Sequence, residues 1–237
     1  MSKRKIIQIV LAVAIAAAAI RTIVVLRQRK QGRPAAPAAS TAPPLNPEYY
    51  VTPKKLHLYD LKSAQELTQQ PEWIKEGYRY TYYPYNPAQH RADLKDEVGV
   101  LGPIQQIQIT GVFAQPTPGD PATRQIMAAF EVGGKPFAVP VGTESKGDSH
   151  IYADEMFYYQ DPHKLYDFWP PDIWNAIEQH QVKKGMDELQ ASMAVGMGQP
   201  HRGENENEKV VIYPNGGHRV TVTYRDGKAA GIVLGNQ

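Results

Sequence analysis

The apolar positions are densest at the start of the chain. Residues 6–20 are apolar except for Gln8, and after a polar interruption at Arg21 the apolar run resumes at 23–26. At 1.5 Å of rise per residue, about 21 helical residues span about 30 Å, the thickness of a bilayer core. The pattern therefore predicts a cytoplasmic stub and a single transmembrane anchor within residues 1–30, which would bring the chain into contact with membrane lipid.

A cleaved signal peptide is the alternative interpretation of this segment, because the small residues 16–19 could form a cleavage site. Cleavage there would leave the apolar residues 23–26 beside several basic ones, so the uncleaved anchor is favoured.

Residues 31–48 are rich in Ala and Pro and predict an extended linker. Basic residues flank both ends of the apolar run, and the larger number on the C-terminal side favours a cytoplasmic body under the positive-inside rule.

Residues 49–160 predict a small, mostly β domain that is rich in tyrosine. The tyrosines of Tyr78–Tyr82 recur at every second position, which is more typical of packing in a sheet than of stacking on bases or sugars. A Pro- and Gly-rich stretch at 115–121 predicts a loop. The pair Gly133–Gly134 separates two β-prone segments and supplies the positive φ angles that a tight hairpin needs.

Residues 161–237 predict two helices followed by three strands. Pro171 suits a first helical turn, and Asp187 with Gln190 three residues later matches a capping box at the start of a second helix. The strand candidates are 209–213, 218–225 and 228–234. The predicted fold class is therefore α+β: an N-terminal transmembrane helix, a small mostly-β middle domain and a C-terminal ααβββ module.

Charge and composition narrow the classes of partner. The net charge is +2, but residues 1–33 hold eight basic side chains and no acidic one, which leaves 18 basic against 24 acidic side chains in the rest. A mildly acidic body repels phosphate backbones, so no nucleic-acid partner is expected. The chain has no cysteine, which excludes disulfides, thiolate metal sites, cysteine nucleophiles and a lipid-modified cysteine.

Motifs of catalysis are mostly missing from the sequence. No two histidines have the i, i+4 spacing of a helical zinc pair, and neither a nucleophile elbow nor a phosphate-binding loop occurs. We therefore expect no catalytic residue, no metal, no cofactor and no small-molecule substrate. The alternative is a cell-wall or carbohydrate-active hydrolase, because carboxylates interleaved with aromatic residues are typical of glycosidases; the acidic residues are Asp154, Glu155, Asp161, Asp167 and Asp172.

Several short motifs carry resemblances to known families. In the middle domain, Thr110–Phe113, Gly133–Lys135 and Val139–Gly142 resemble the periplasmic β-domains of secretion and pilus-assembly proteins such as GspC and PilP. The ordered C-terminal motifs are Gly185-Met186, Leu189-Gln190, Gly198-Gln199-Pro200, Tyr213 and 220–228. Over residues 173–234 they resemble the BamE/SmpA family of outer-membrane assembly lipoproteins. This resemblance implies an ααβββ fold that docks to partner proteins, and in some members to lipid, without catalysis.

The chain departs from that family because it lacks the lipidated cysteine and has a predicted anchor and an additional N-terminal half. We expect an inner-membrane, single-pass protein with a periplasmic body, a cytoplasmic body being the alternative. Its expected function is that of a non-enzymatic accessory or scaffold subunit bound to an envelope protein complex in assembly or secretion. The candidate partner-binding residues are four residues of the module that are taken as exposed, Met186, Tyr213, Arg219 and Tyr224, and two from the aromatic cluster, Tyr166 and Trp169. The alternatives are that Met186 and Tyr224 are core residues and that the aromatic cluster is a domain junction.

Overall fold

The computed structural model describes residues 16, 18–27, 46–202 and 208–235. The chain divides into two compact units, residues 1–49 and 50–237. In the first unit, residues 18–27 form helix α1. The remaining parts of the predicted anchor and linker, residues 1–15, 17 and 28–45, lie outside the described residues.

The predicted fold class is wrong in two respects. Strand accounts for 39% of the residues and helix for 25%, so the protein is mostly β. Within the described part of the chain, no helix is both long enough and apolar enough to cross a membrane, and the predicted transmembrane helix is therefore not supported.

Short helices and long strands explain the mostly β character of residues 50–237. The α-helices are α2 (Ala153–Met156), α3 (Pro162–Leu165), α4 (Pro171–Glu178) and α5 (Glu188–Val195), and 3-10 helices cover Pro47–Tyr50, Ser63–Thr68 and Asn215–Gly217. The strands are β1 (Glu72–Ile74), β2 (Thr81–Asn86), β3 (Arg91–Ala92), β4 (Gly99–Val100), β5 (Gln106–Ile107), β6 (Ile109–Thr117), β7 (Asp120–Val132), β8 (Lys135–Ser145), β9 (Asp148–Ile151), β10 (Phe157–Tyr158), β11 (Gln199–Arg202), β12 (Glu208–Tyr213), β13 (Val220–Arg225) and β14 (Lys228–Leu234).

A seven-stranded antiparallel sheet forms the first half of this unit. Its main path is β3-β2-β8-β7-β6, with β4 added to β2 and β9 added to β8. The hairpin predicted at Gly133–Gly134 is confirmed, since both glycines have positive φ and Val132 pairs with Lys135. The loop predicted at 115–121 is mostly strand, because β6 and β7 continue to a tight turn at 118–119.

A small three-stranded sheet, β10-β1-β5, lies between two hydrophobic cores. Successive side chains of a strand point to opposite faces. Ile74 and Phe157 accordingly join the first core, which the seven-stranded sheet covers, while Trp73 and Tyr158 pack in the second. This sheet is therefore a wall shared by the two cores.

The second core lies in the C-terminal half, between helices α4 and α5 and a four-stranded sheet. The capping box is confirmed: the Asp187 side chain accepts from the Gln190 N–H, and the Gln190 side chain accepts from the Asp187 N–H. Gly196 ends α5 with a φ of 80°. The sheet order is β11-β12-β13-β14, one strand more than the three predicted, because residues 199–202 pair with β12.

Candidate partner-binding groove

The structure buries five of the six predicted contact residues. Met186 and Tyr213 have 0% of their surface exposed, Tyr224 has 3%, and Tyr166 and Trp169 have 5% each. The predicted exposure of Met186, Tyr213 and Tyr224 is wrong, and the alternative that Met186 and Tyr224 are core residues is confirmed, because all five side chains pack in the second core. Arg219 is the one of the six that is exposed, directly before β13.

Specific contacts explain the burial of the two tyrosines from the sheet. Tyr213 and Tyr224 lie on neighbouring strands with their side chains toward the helices, and their hydroxyl oxygens are 2.7 Å apart, a buried hydrogen bond. Burial raises the pKa of Tyr213 above its ordinary value and the pKa of Tyr224 to about 12. Both hydroxyls are therefore protonated at neutral pH, and the hydrogen bond between them lies within the core.

The aromatic residues around α3 form a stacked cluster inside the protein. The ring centroids of Tyr166 and Trp169 are 4.4 Å apart, and those of Trp169 and Trp174 are 5.3 Å apart. His163 stacks on Trp174 with a centroid distance of 4.1 Å. Tyr158 of the shared wall packs in the same core, which supports the interpretation of the cluster as a junction between the two halves.

The acidic stretch suggested for a hydrolase is divided among separate places. Asp161 caps α3 by accepting from the His163 N–H, and Asp172 in the first turn of α4 lies 4.0 Å from the Lys183 ammonium. The Asp154 carboxylate accepts from the backbone N–H groups of Leu56 and His57. Among the described residues, no group of three or more potential ligands could hold a metal ion.

A depression of about 500 Å³ lies beside Asp154. Its charged lining comes from Lys55, Lys75, Glu76, Asp154 and Glu155. Burial opposes ionisation of Asp154, but the hydrogen bonds that it accepts outweigh burial, and its pKa lies below the ordinary value. A glycosidase acid needs a raised pKa instead, so Asp154 has the wrong electrostatic environment for that role.

A larger groove, of about 870 Å³, lies at the end of the C-terminal sheet and contains the exposed candidate Arg219. Four separate parts of the chain form it: Tyr78 from the first half, 179–182 after α4, 215–220 at the start of β13, and 232–235 at the end of β14. Its size is in the range of ligand-binding sites in proteins. We call it the β14 groove.

Tyr78 lies in the β14 groove because Gly196 and Gly216 have no side chain and allow the segment of Gly77 and Tyr78 to pack closely against them. A Cβ on Gly196 would lie 2.6 Å from the carbonyl oxygen of Gly77, and a Cβ on Gly216 would lie 3.0 Å from the Tyr78 ring. Tyr78 has a φ of 61°, which is uncommon for a bulky residue. Its N–H donates to the Leu101 carbonyl at 2.7 Å, and this bond holds the strained residue in place.

The hydrogen-bond pattern shows which backbone groups of β14 point into open space. The Gly235 N–H donates to the Arg219 carbonyl at 2.7 Å, so the facing pair Val220 and Leu234 is not hydrogen-bonded to each other. Hydrogen-bonded and non-hydrogen-bonded pairs alternate along an antiparallel ladder. Ile232, two residues before Leu234, therefore also belongs to a pair that is not hydrogen-bonded. Both residues therefore direct their N–H and C=O groups away from β13, toward the free edge of the sheet.

Part of that edge is already paired within the chain. The Gly185 N–H donates to the Ala229 carbonyl at 2.9 Å, and the Ala229 N–H donates to the Met186 carbonyl at 2.7 Å. Beyond Ala229, no strand of the described residues pairs with the outer edge of β14. Leu234 is 72% exposed there, so an apolar side chain accompanies the open backbone.

The groove has a positive electrostatic character. Arg219 and His180 line it, and among its described lining residues there is no carboxylate. The His180 Nδ1 lies 3.0 Å from the Ala194 carbonyl oxygen, which can only accept, so Nδ1 carries the proton of that bond. The groove therefore combines an unpaired strand edge, apolar side chains and the cationic donors of the Arg219 guanidinium.

Comparisons with known proteins found no similar protein. No protein-family model matches the chain, and neither the curated proteins nor the solved structures contain a match.

Sequence reasoning identified Arg219 but missed the rest of the β14 groove. Its other members come from segments far apart in sequence, and Tyr78 belongs to a different half of the unit. One usable signal was present: the glycines at 196, 216 and 217 interrupt regular structure around this end of the sheet.

Proposed function

We propose that the protein is a non-enzymatic accessory or scaffold subunit that binds other proteins of the cell envelope through the β14 groove. The observation that carries this proposal is the open edge of β14 beside an apolar, positively charged groove. Exposed sheet edges bind polypeptides through main-chain hydrogen bonds, while neighbouring side chains give specificity. A natural protein normally covers or charges such an edge.

The proposed location is the inner membrane, with the body in the periplasm. It is supported by the apolar, basic-flanked segment within residues 1–30 and by the resemblance to envelope assembly proteins. Fractionation of cells into membrane and soluble parts tests the membrane association. A reporter fused after Gln237 that is active only in the periplasm tests the side, and activity of a cytoplasmic reporter would contradict the envelope proposal.

Photo-crosslinking in the native cells tests the docking function. A photoreactive amino acid replaces Leu234 in the groove, and in a matched variant it replaces Val132, which is also exposed but lies at the end of β7. Adducts of defined mass are expected from position 234 and not from position 132. Equal adducts at both positions, or none at position 234, would contradict docking through this groove.

A carbohydrate-active hydrolase is the second candidate, and the depression beside Asp154 is the observation that favours it. Its exposed carboxylate is Glu155, and Glu76 lines the same depression. Replacing Glu155 and Glu76 by Gln leaves the hydrogen bonds of Asp154 in place, although Glu76→Gln removes the ion pair with Arg79, so urea unfolding of each variant accompanies the assay. Loss of cell-wall hydrolysis in these variants would support the enzyme, whereas hydrolysis by neither wild type nor variant supports the docking function.

A further inference from the structure

We infer, on the basis of the proposed docking function, that the partner contributes an extended segment that pairs with β14 as an added strand and places a carboxylate on Arg219. The occupant is thus a stretch of another protein with apolar residues at alternate positions and one Asp or Glu. Three features of the groove support this choice.

The first feature is the backbone. Ile232 and Leu234 each direct an N–H and a C=O away from β13, and a polypeptide in the extended conformation supplies complementary groups at the same spacing. The pairing of Gly185 and Met186 with Ala229 already begins a further strand along this edge. A partner segment would continue this pairing from Ala229 toward Gly235.

The second feature is the apolar lining. Val220 and Leu234 are cross-strand neighbours, and Ile232 follows on the same face of the sheet, the face that packs against the helices. Val182 also lines the groove. A strand added at the edge would direct every second side chain toward these residues, because side chains of a strand alternate between its two faces.

The third feature is the charge. The ion pairs of the described C-terminal half do not include Arg219; they are His163 with Asp161 and with Glu178, Lys183 with Asp172, Lys209 with Glu188, Arg225 with Glu208 and Lys228 with Asp187. The Arg219 guanidinium therefore has donors for a carboxylate that comes from outside, and bidentate pairing is its preferred geometry.

Two other occupants fit the groove less well. A second copy of this chain would offer its own β14, whose sequence KAAGIVL contains a lysine and no acid, so it would leave Arg219 without a carboxylate. An anionic lipid headgroup would satisfy Arg219 and His180, but it would leave the N–H and C=O groups of Ile232 and Leu234 without partners. Both become outcomes of the test.

The test is selection of peptides from a display library of random heptapeptides against the full-length protein. The enriched peptides are expected to alternate apolar and polar residues and to contain an Asp or Glu. The best of these is then synthesised with a fluorescent label, together with a version in which the acid is replaced by its amide. Affinity for the amide peptide is expected to be lower by at least about tenfold, as is the affinity of an Arg219→Gln variant for the acidic peptide. Arg219→Lys is expected to recover part of the loss.

Backbone pairing is tested by N-methylation of the same peptide at single positions. Methylation of one alternate set of amides is expected to abolish binding, and methylation of the other set to be tolerated, because only one edge of an added strand faces β14. Slower hydrogen exchange at the Ile232 and Leu234 amides is expected on binding. Uniform tolerance, or uniform loss, would overturn the added-strand geometry.

The outcomes separate this inference from the docking function. If the crosslink at position 234 forms in cells but the selected peptides lack an acid, lack alternation or are not enriched at all, the docking function stands and the strand inference fails. Binding to phosphatidylglycerol vesicles that Arg219→Gln abolishes, without peptide binding, would assign the groove to lipid. Self-association in ultracentrifugation that Leu234→Lys removes would assign it to a second copy.

Discussion

The two large sheets of this protein differ in the hydrogen bonding of their edge strands. In the seven-stranded sheet, the Gln115 side chain on β6 accepts from the Ala92 N–H at 2.7 Å and donates to the Ala92 carbonyl at 3.1 Å. One amide thereby joins the two ends of the strand order, β6 and β3. The Gln65 side chain also donates to the Val112 carbonyl of β6 at 2.7 Å. In the C-terminal sheet, by contrast, no strand of the described residues pairs with the outer edge of β14 beyond Ala229.

A side-chain amide thus connects two edge strands of the first sheet, whereas no described residue does the same for the outer edge of β14 beyond Ala229. An amide side chain has a donor and an acceptor, so it can replace a neighbouring strand at one residue. Unpaired edges promote aggregation, which is why natural sheets usually cover them. The outer edge of β14 beyond Ala229 has no partner strand among the described residues, and it is therefore a candidate binding surface.

A buried carboxyl also distinguishes the first half from the second. Glu72 on β1 is fully buried, and within the described residues neither of its carboxylate oxygens has a hydrogen-bond partner. Burial raises the pKa of Glu72 from 4.5 to about 8, against the opposing effect of the positive charge on Lys54. The three tryptophans, by comparison, all pack against the second core.

The largest expected effect is therefore a pH dependence of stability caused by Glu72. The folded protein keeps this proton up to about pH 8, whereas the unfolded chain releases it near 4.5, so the stabilisation is complete below pH 4.5 and is lost as the pH rises to about 8. Between these two pKa values the free energy of unfolding falls by about 1.4 kcal/mol per pH unit, or several kcal/mol in total. Glu72→Gln is expected to remove this slope in urea unfolding measured from pH 5 to 8.

Tryptophan fluorescence sharpens this experiment, because it reports on the second core while Glu72 lies on the face of β1 toward the first. If the shared wall couples the two cores, fluorescence and far-ultraviolet circular dichroism give the same transition. The exposed Glu66→Gln is the control, and it is expected to keep the wild-type slope. The same slope in Glu72→Gln as in wild type would show that Glu72 is ionised in the folded protein.

The next effect concerns the closed edge. Gln115→Ala removes both hydrogen bonds to Ala92, and it leaves a buried N–H and a buried C=O without partners, at a cost of about 2 to 3 kcal/mol. The free energy of unfolding in urea measures this loss. Gln89→Ala, at an exposed position, is the matched control and is expected to stay within about 0.5 kcal/mol of wild type. A similar small change for Gln115→Ala would mean that the amide does not hold the edge.

Local signals in the sequence predicted the parts of the fold that local interactions decide. The positive φ angles at Gly133–Gly134 and the reciprocal hydrogen bonds of Asp187 and Gln190 each depend on a few neighbouring residues, and both are confirmed. The balance of helix and strand was not predictable in this way. Strands β6 and β7 extend through a stretch rich in Pro and Gly because each pairs with the other along most of its length.

Burial was the main error at the candidate site. Alternation showed that Val220, Val222 and Tyr224 share a face, but only the packing of α4 and α5 decides that this face is interior. The predicted exposure of Arg219 is correct, because this residue precedes the strand and lies at its exposed end. The open edge of β14 depends on strand order, which no short motif in the sequence specifies.

A smaller effect is expected from the hydrogen bond between the two buried tyrosines. Tyr213→Phe removes one hydroxyl and leaves the Tyr224 hydroxyl buried without this partner, at a cost of about 1 to 2 kcal/mol of unfolding free energy. Tyr224→Phe and the double variant complete a cycle that isolates the pair. Adducts from the photoreactive residue at position 234 are expected to be unchanged in Tyr213→Phe. Loss of adducts without loss of stability would restore Tyr213 as a partner contact.

The smallest effect on stability is expected at the open edge itself. Leu234 is 72% exposed and its outward backbone groups have no partner strand in the described part of the chain, so Leu234→Lys is expected to change the free energy of unfolding by less than about 0.5 kcal/mol. Binding to the selected acidic peptide is expected to weaken nonetheless, because the variant removes an apolar contact. Val233→Lys is the matched control: Val233 is 65% exposed on the same strand but on the opposite face, so peptide affinity should change little. If Leu234→Lys instead destabilises the protein by more than about 1 kcal/mol, this edge is part of the folded core, and the contrast between the closed and the open sheet is lost.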